Sequence, residues 1–123
     1  MKKEPFFETD THTLYLHETL VYYDGPQLVI CKDEDNTKYL AVCSGWFEEL
    51  ERWVVIKLSE ERWQAIYNDQ ITLYDVFKEP EDGKVIVFEQ SFVTQVETSR
   101  VVEPSMLDDG WLPMQGFYLE ARE

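Results

Sequence analysis

Apolar and polar positions alternate along most of the chain, and the alternation breaks at turn residues. Over residues 13–23, Leu14, Leu16, Leu20 and Tyr22 recur at period two with Glu18 out of phase, which predicts a strand. Asp24-Gly25-Pro26 is a turn signal. Residues 27–32 form a second predicted strand in which Leu28, Val29, Ile30 and Cys31 are consecutive. Asp33-Glu34-Asp35-Asn36 turns the chain, and residues 38–43 return as a third strand. A symmetric loop sets Ile30 opposite Tyr39, Leu28 opposite Ala41 and Cys31 opposite Lys38, with Cys43 on the other side of the sheet from Cys31. Both sides of this hairpin are apolar, so it is expected to be central or covered on both faces.

Ser44-Gly45 interrupts the pattern, which places Trp46-Phe47 in a loop and Glu48 to Glu51 in a charged connection. Residues 52–58 form a fourth strand with Val54, Ile56 and Leu58 in phase. Ser59 has the chemistry of a helix N-cap, and Glu60 and Glu61 follow where the helix dipole favours acids. Trp63, Ile66 and Tyr67 fall on one helical face, and Asn68-Asp69 ends that helix. Thr72, with Asp75 three residues on, starts a second short helix carrying Leu73, Val76 and Phe77 on one stripe. Pro80 stops it and Asp82-Gly83 turns the chain into a strand over 84–89. Residues 92–102 supply one or two further strands, with Phe92, Thr94 and Val96 in phase, and Pro104 to Gly110 is a loop. Trp111-Leu112-Pro113 and Phe117-Tyr118-Leu119 read as a C-terminal clasp. The expected fold is α+β: a mostly antiparallel sheet of about six or seven strands, with two short helices between strands 4 and 5. With 123 residues, one domain over 1–123 is expected.

Charge narrows the function classes. The chain has 25 acids against 11 Lys and Arg, a net charge of −14, which is the wrong sign for neutralising nucleic-acid phosphates. The acids are dispersed, 13 to 7 bases in residues 1–62 and 12 to 4 in residues 63–123, so no separate acidic tail is present. A hydrophobic fraction of 44% is too high for an acidic disordered segment. No apolar run approaches the roughly 18 residues of a membrane span. Lys2 and Lys3 are followed by only Phe6-Phe7 as an apolar stretch, with no cleavage site, so the expected location is cytoplasmic. The two cysteines, Cys31 and Cys43, form no CxxC pair and read as small buried hydrophobes.

From Tyr22-Tyr23-Asp24-Gly25-Pro26 onward, the order of features resembles an uncharacterised family of small bacterial and phage proteins, a domain of unknown function. The resemblance runs through Lys38-Tyr39-Leu40, the Ser59-Glu60-Glu61-Arg62 helix start and Ile71-Thr72-Leu73-Tyr74-Asp75-Val76-Phe77. It covers roughly residues 13–90, and Leu112-Pro113 extends it. It implies a prokaryotic or phage origin and a compact single domain. Its motifs are structural, and it brings no catalytic residues.

No phosphate-binding loop, dinucleotide-binding glycine pattern, nucleophile elbow or HExxH motif occurs. Asp10, His12 and His17 have the spacing of a metal motif, but His12 and His17 are an odd number apart and point to opposite faces of one strand. The carboxylate pairs at 33–35, 48–51, 60–61, 81–82 and 108–109 sit in predicted turns or at a helix start, where a solvated face is the simpler reading than acid–base catalysis. No cofactor, metal or catalytic residue is therefore assigned. Aromatics are the more informative excess: four Trp, seven Tyr and seven Phe exceed what so small a core can hide. Trp46, Phe47 and Trp111, in predicted loops and flanked by Glu48, Glu49, Asp108 and Asp109, form the candidate partner-binding set.

The reading placed first is a non-catalytic acidic protein-binding module, an inhibitor, immunity-type or accessory subunit engaging a basic partner. Second is a nucleic-acid mimic, which requires one contiguous negative face. Third is a small-ligand sensor or enzyme with an aromatic pocket. Direct nucleic-acid binding and membrane association are not expected. An edge strand at residues 92–96 points to a homodimer, against which the charge works at low salt.

Overall fold

In a computed structural model the chain is described at residues 5–9, 12–22, 26–47, 50–91 and 97–113. Its strands are β1 (Phe7–Glu8), β2 (Thr13–Tyr22), β3 (Pro26–Lys32), β4 (Lys38–Phe47), β5 (Leu50–Lys57), β6 (Val85–Ser91) and β7 (Glu97–Val102). Each pairs antiparallel with the next, giving a seven-stranded meander. Helices α1 (Glu60–Tyr67) and α2 (Leu73–Lys78) lie between β5 and β6, not between strands 4 and 5. The difference is β1, a two-residue strand too short to show any period in the sequence. Two single 3-10 turns, Pro104–Met106 and Asp109–Trp111, follow β7.

The sheet is nearly barrel-like. β1 pairs with β2 at Phe7↔Leu14 and reaches β7 through side chains. The Glu8 amide donates to Glu97 Oε1 at 2.6 Å, and Ser99 Oγ lies 2.7 Å from Thr9 Oγ1 and 3.1 Å from His12 Nδ1. Glu97 and Ser99 are alternate residues of β7, so both project from the same face.

Period-two alternation then sorts the apolar residues onto two faces. The inner face, under β1, buries Phe7, Leu14, Val29, Cys31, Ala41, Trp53, Val55 and Phe88. The outer face buries Leu28, Ile30, Leu40, Val54, Ile56, Val85 and Val87 beneath Ile66 of α1, Val76 and Phe77 of α2, and Leu107 and Leu112. The central hairpin is thus covered on both sides, as its consecutive apolar run requires.

Its register differs from the expected one by one residue: Leu28 lies opposite Val42, Ile30 opposite Leu40 and Cys31 opposite Tyr39. The loop takes in Thr37 and is one residue longer than expected, closed by the Asp33 amide on the Thr37 carbonyl at 3.0 Å, because Asp33 Oδ1 accepts from the Asp35 and Thr37 amides at 2.8 and 2.9 Å while Asn36 takes φ +66°. Cys31 and Cys43 therefore share the inner face, contrary to the expected register. Neither is joined in a disulfide. Cys43 lies four residues along β4 from the partner of Cys31, about 13 Å away at strand rise, beyond disulfide reach.

β2 departs from simple alternation as well. Register shifts between Leu16 and Glu18, between Thr19 and Val21 and between Val21 and Tyr22 mark three bulges or irregularities. The first sets Glu18 opposite Ile30 and turns Leu20 onto the outer core, away from Leu14 on the inner one. Glu18, the residue out of phase in the sequence, sits directly after that bulge.

Both helix starts are capped as expected. Ser59 Oγ accepts from the Arg62 amide at 3.1 Å, and Thr72 Oγ1 from the Asp75 amide at 3.2 Å. α1 is tied back to the end of α2, where the Arg62 guanidinium donates to the Glu79 carbonyl. Ile66 is buried and Trp63 packs on the outer core, but Tyr67 is 43% exposed, so the buried stripe of α1 is narrower than its spacing predicts. Among the described residues, no helix is long and apolar enough to cross a membrane.

Candidate functional site

The outer core ends in an open cleft of about 300 Å³. Val21, Leu28 and Val42 form its floor, from β2, β3 and β4. Leu73 closes one side, and the segment from Gly110 to Pro113 closes the other. Local chemistry sets these walls. The Thr72 cap fixes where α2 begins, so Leu73, its first residue, borders the opening. The second bulge of β2 sets Val21 opposite Leu28, on the same face. A further bulge between Cys43 and Gly45 carries β4 past Ser44, whose Oγ donates to the Arg52 carbonyl at 3.2 Å.

Trp111 is the aromatic wall. Asp108 builds the turn that presents it: Oδ1 accepts from the Gly110 amide at 2.8 Å, and the carbonyl accepts from the Trp111 amide at 2.9 Å. The Arg52 guanidinium carbon lies 4.1 Å from the centroid of the Trp111 ring. Arg52 Nε donates to Glu89 Oε2 at 2.8 Å, and Arg100 reaches the other Glu89 oxygen at 3.4 Å. The Arg52 and Glu89 side chains are only 15% and 16% exposed, so water screens them weakly. A cation–π contact in such a place is worth about 1–2 kcal/mol. It holds Trp111 against β5.

The sequence-selected residues are distributed unequally. Trp111 is half-buried and packs on the outer core, so it is less open than a loop position predicts. Asp108 is exposed beside it. Asp109 starts the same turn. Trp46 and Phe47 are not in a loop: their backbones continue β4, opposite Glu51 and Leu50, because the bulge lets the strand run through Ser44-Gly45. Glu48 and Glu49 lie outside the described residues, as do Phe92 to Val96 of the expected edge strand.

Sequence reading missed Val21, Val42, Leu73 and Arg52. Leu20-Val21, two adjacent apolar residues in an alternating strand, is a bulge signal that points to Val21. Nothing local links Arg52 to Trp111, 59 positions later.

No Asp, Glu, His, Lys or Arg is found among the described residues lining the cleft. It can seat an apolar or flat group, but it supplies no acid–base pair. A smaller cavity of about 210 Å³ lies at the opposite end of the hairpin, by His12, Asp33 and Tyr39. Asp33 is engaged there by the turn amides and by the Tyr39 hydroxyl at 3.5 Å. Burial first, and then Asp33, pushes the Tyr39 phenol above its ordinary value. Among the described residues, no group of three or more His, Cys, Asp or Glu is placed to hold a metal ion. Asp10 of the Asp-His-His spacing is not among them.

Compared with known proteins, the chain matches the model of a family of unknown function, DUF6575, over residues 8–123. The match extends well beyond the 13–90 stretch on which the sequence resemblance rests. No curated protein and no solved structure matches the chain.

Proposed function

The chain belongs to the DUF6575 family of unknown function, and from its geometry we propose that it is a non-catalytic acidic protein-binding module that engages a basic partner. The observation carrying this is an apolar cleft on a surface dominated by acids. Exposed acids outnumber exposed Lys and Arg eleven to three among the described residues. Apolar walls and an aromatic supply affinity, and the surrounding charge steers a basic partner. Inhibition, immunity or an accessory role in a bacterial or phage cytoplasm is the setting this reading takes from the family resemblance.

The mimic reading receives less support. Exposed acids come from β1, β2, the β3–β4 turn, α1, the α2–β6 loop and the turns after β7. That is a scatter over many elements rather than a row at phosphate spacing.

The test is affinity capture from the native host at low and moderate salt, followed by titration of the purified partner. The expected partner is basic, loses affinity as salt rises, and is weakened about tenfold by Val21→Lys, which places a cation in the cleft. Val21 is 39% exposed, so the variant keeps the fold. A purified partner whose affinity ignores both salt and Val21→Lys overturns the reading. Capture that is competed off by DNA from a nucleic-acid enzyme replaces it with the mimic.

A further inference from the structure

The chemistry of the cleft specifies what part of such a partner enters it, an inference that rests on the binding reading above. Arg52 stacks over the Trp111 ring at 4.1 Å but does not line the cleft, so the indole is held from the β5 side and turns other surface into the opening. Glu89, at 2.8 Å from Arg52 and 3.4 Å from the more exposed Arg100, offsets part of this charge and reduces its repulsion of a second cation. Val21, Val42, Leu73 and Pro113 give the rest of the lining its aliphatic surface, with Gln27, Cys43 and Ser44 beside them. At the rim, the Asp108 carboxylate is exposed and tied to Gly110, a lining residue, at 2.8 Å. A volume of about 300 Å³ is at the lower limit of small-molecule sites and is ample for a single long side chain.

We infer that the cleft seats one arginine side chain of the basic partner. The methylene stem lies along the aliphatic walls, the guanidinium plane stacks on the cleft side of Trp111, and Asp108 meets the charge. A leucine or phenylalanine would fill the same walls but make no use of the negative charge at the rim. Lysine carries a compact, strongly hydrated ammonium that stacks poorly on an indole, whereas the guanidinium is planar and more weakly hydrated. The excess of exposed acids favours a cationic anchor over a neutral one.

The test uses the intact protein and three synthetic peptides of one sequence, bearing a central arginine, lysine or citrulline between neutral residues. Binding is followed by ¹H–¹⁵N NMR through the Trp111 indole N–H, assigned with Trp111→Phe. The arginine peptide is expected to shift that signal and the Gly110 amide saturably, and to bind about tenfold more tightly than its uncharged citrulline isostere, with lysine between. Asp108→Asn is expected to cost about threefold. Val21→Lys is expected to abolish the shifts, and Trp111→Leu, checked for folding by its melting curve, to do the same.

Equal binding of arginine and citrulline peptides overturns the inference in favour of an apolar anchor. Shifts that spread over the acidic surface while the Trp111 signal stays fixed overturn it too, yet leave the basic-partner reading standing. No binding of any peptide to the wild type at low salt also overturns it, and the captured partner then judges the broader reading independently.

Discussion

The two faces of the sheet are built from the same strands by alternate residues, yet they end differently. The inner face is closed by the chain's own first strand. Phe7 stacks on Phe88 at a centroid distance of 4.5 Å and meets Trp53 edge-on at 5.5 Å, with Phe6 against Trp53 at 5.4 Å. The outer face is aliphatic and is covered by α1, α2 and the turns after β7, pieces of eight residues or fewer. Short pieces, each placed by its own cap or turn, do not cover the whole face, and the cleft is the part they leave open. Aromatic rings pack the inner face tightly around a two-residue strand, whereas piecewise aliphatic cover leaves the outer face open at the cleft.

The difference between the two faces should be measurable. The largest expected effect is at the two thiols. Burial pushes Cys31 up to about 12, from 9.0 when unperturbed, so it carries about a thousandfold less thiolate at neutral pH. Cys43, on the same face but half-buried, is expected to be alkylated first in the native protein. Cys31 should react only after denaturant exposes it, as followed by mass spectrometry. Rapid native labelling of Cys31 would show that the inner face is not sealed.

Next in size is Phe7→Ala, expected to cost about 3–5 kcal/mol in urea unfolding because an aromatic cavity opens among Phe6, Trp53 and Phe88. A loss below about 1 kcal/mol would mean that β1 is not a closing strand. On the outer face Ser59→Ala should cost only about 1 kcal/mol, the usual value of an N-cap. The cap is a local device, and its loss should leave the inner face intact.

The smallest effect is at the seam between β1 and β7. Burial raises Glu97 above its ordinary 4.5, with Glu8 and Glu51 adding repulsion and the Glu8 amide pulling the other way. A raised carboxylate is favoured in its protonated form by the fold. Its contribution is therefore present below 4.5 and is lost as pH rises through the higher folded value. Glu97→Gln should match wild type in thermal melts at low pH and become the more stable of the two above that range. The opposite order at neutral pH would show that the ionised carboxylate is what holds Glu8.

Features under short-range chemical control are legible in the order of residues. The Ser59 and Thr72 caps lie where their side-chain oxygens reach an amide three residues on, and Asn36 and Gly83 turn the chain at positive φ. Strands β3 to β6 were legible because apolar residues recur at the strand period and run consecutively where both faces are covered. The acidic surface is fixed by composition. Tertiary structure decided the rest. Two-residue β1 exists because Phe7 finds Phe88 and Trp53, partners 46 or more positions away. The hairpin register depended on which amides Asp33 holds. The bulges of β2 and β4 were needed to turn Leu20 onto the outer core and to carry Trp46 and Phe47 into a strand. Trp111 became the wall of a cleft only where the fold laid Arg52 across its ring. Such contacts join residues far apart in the chain, and no local pattern of polarity encodes a distance between them.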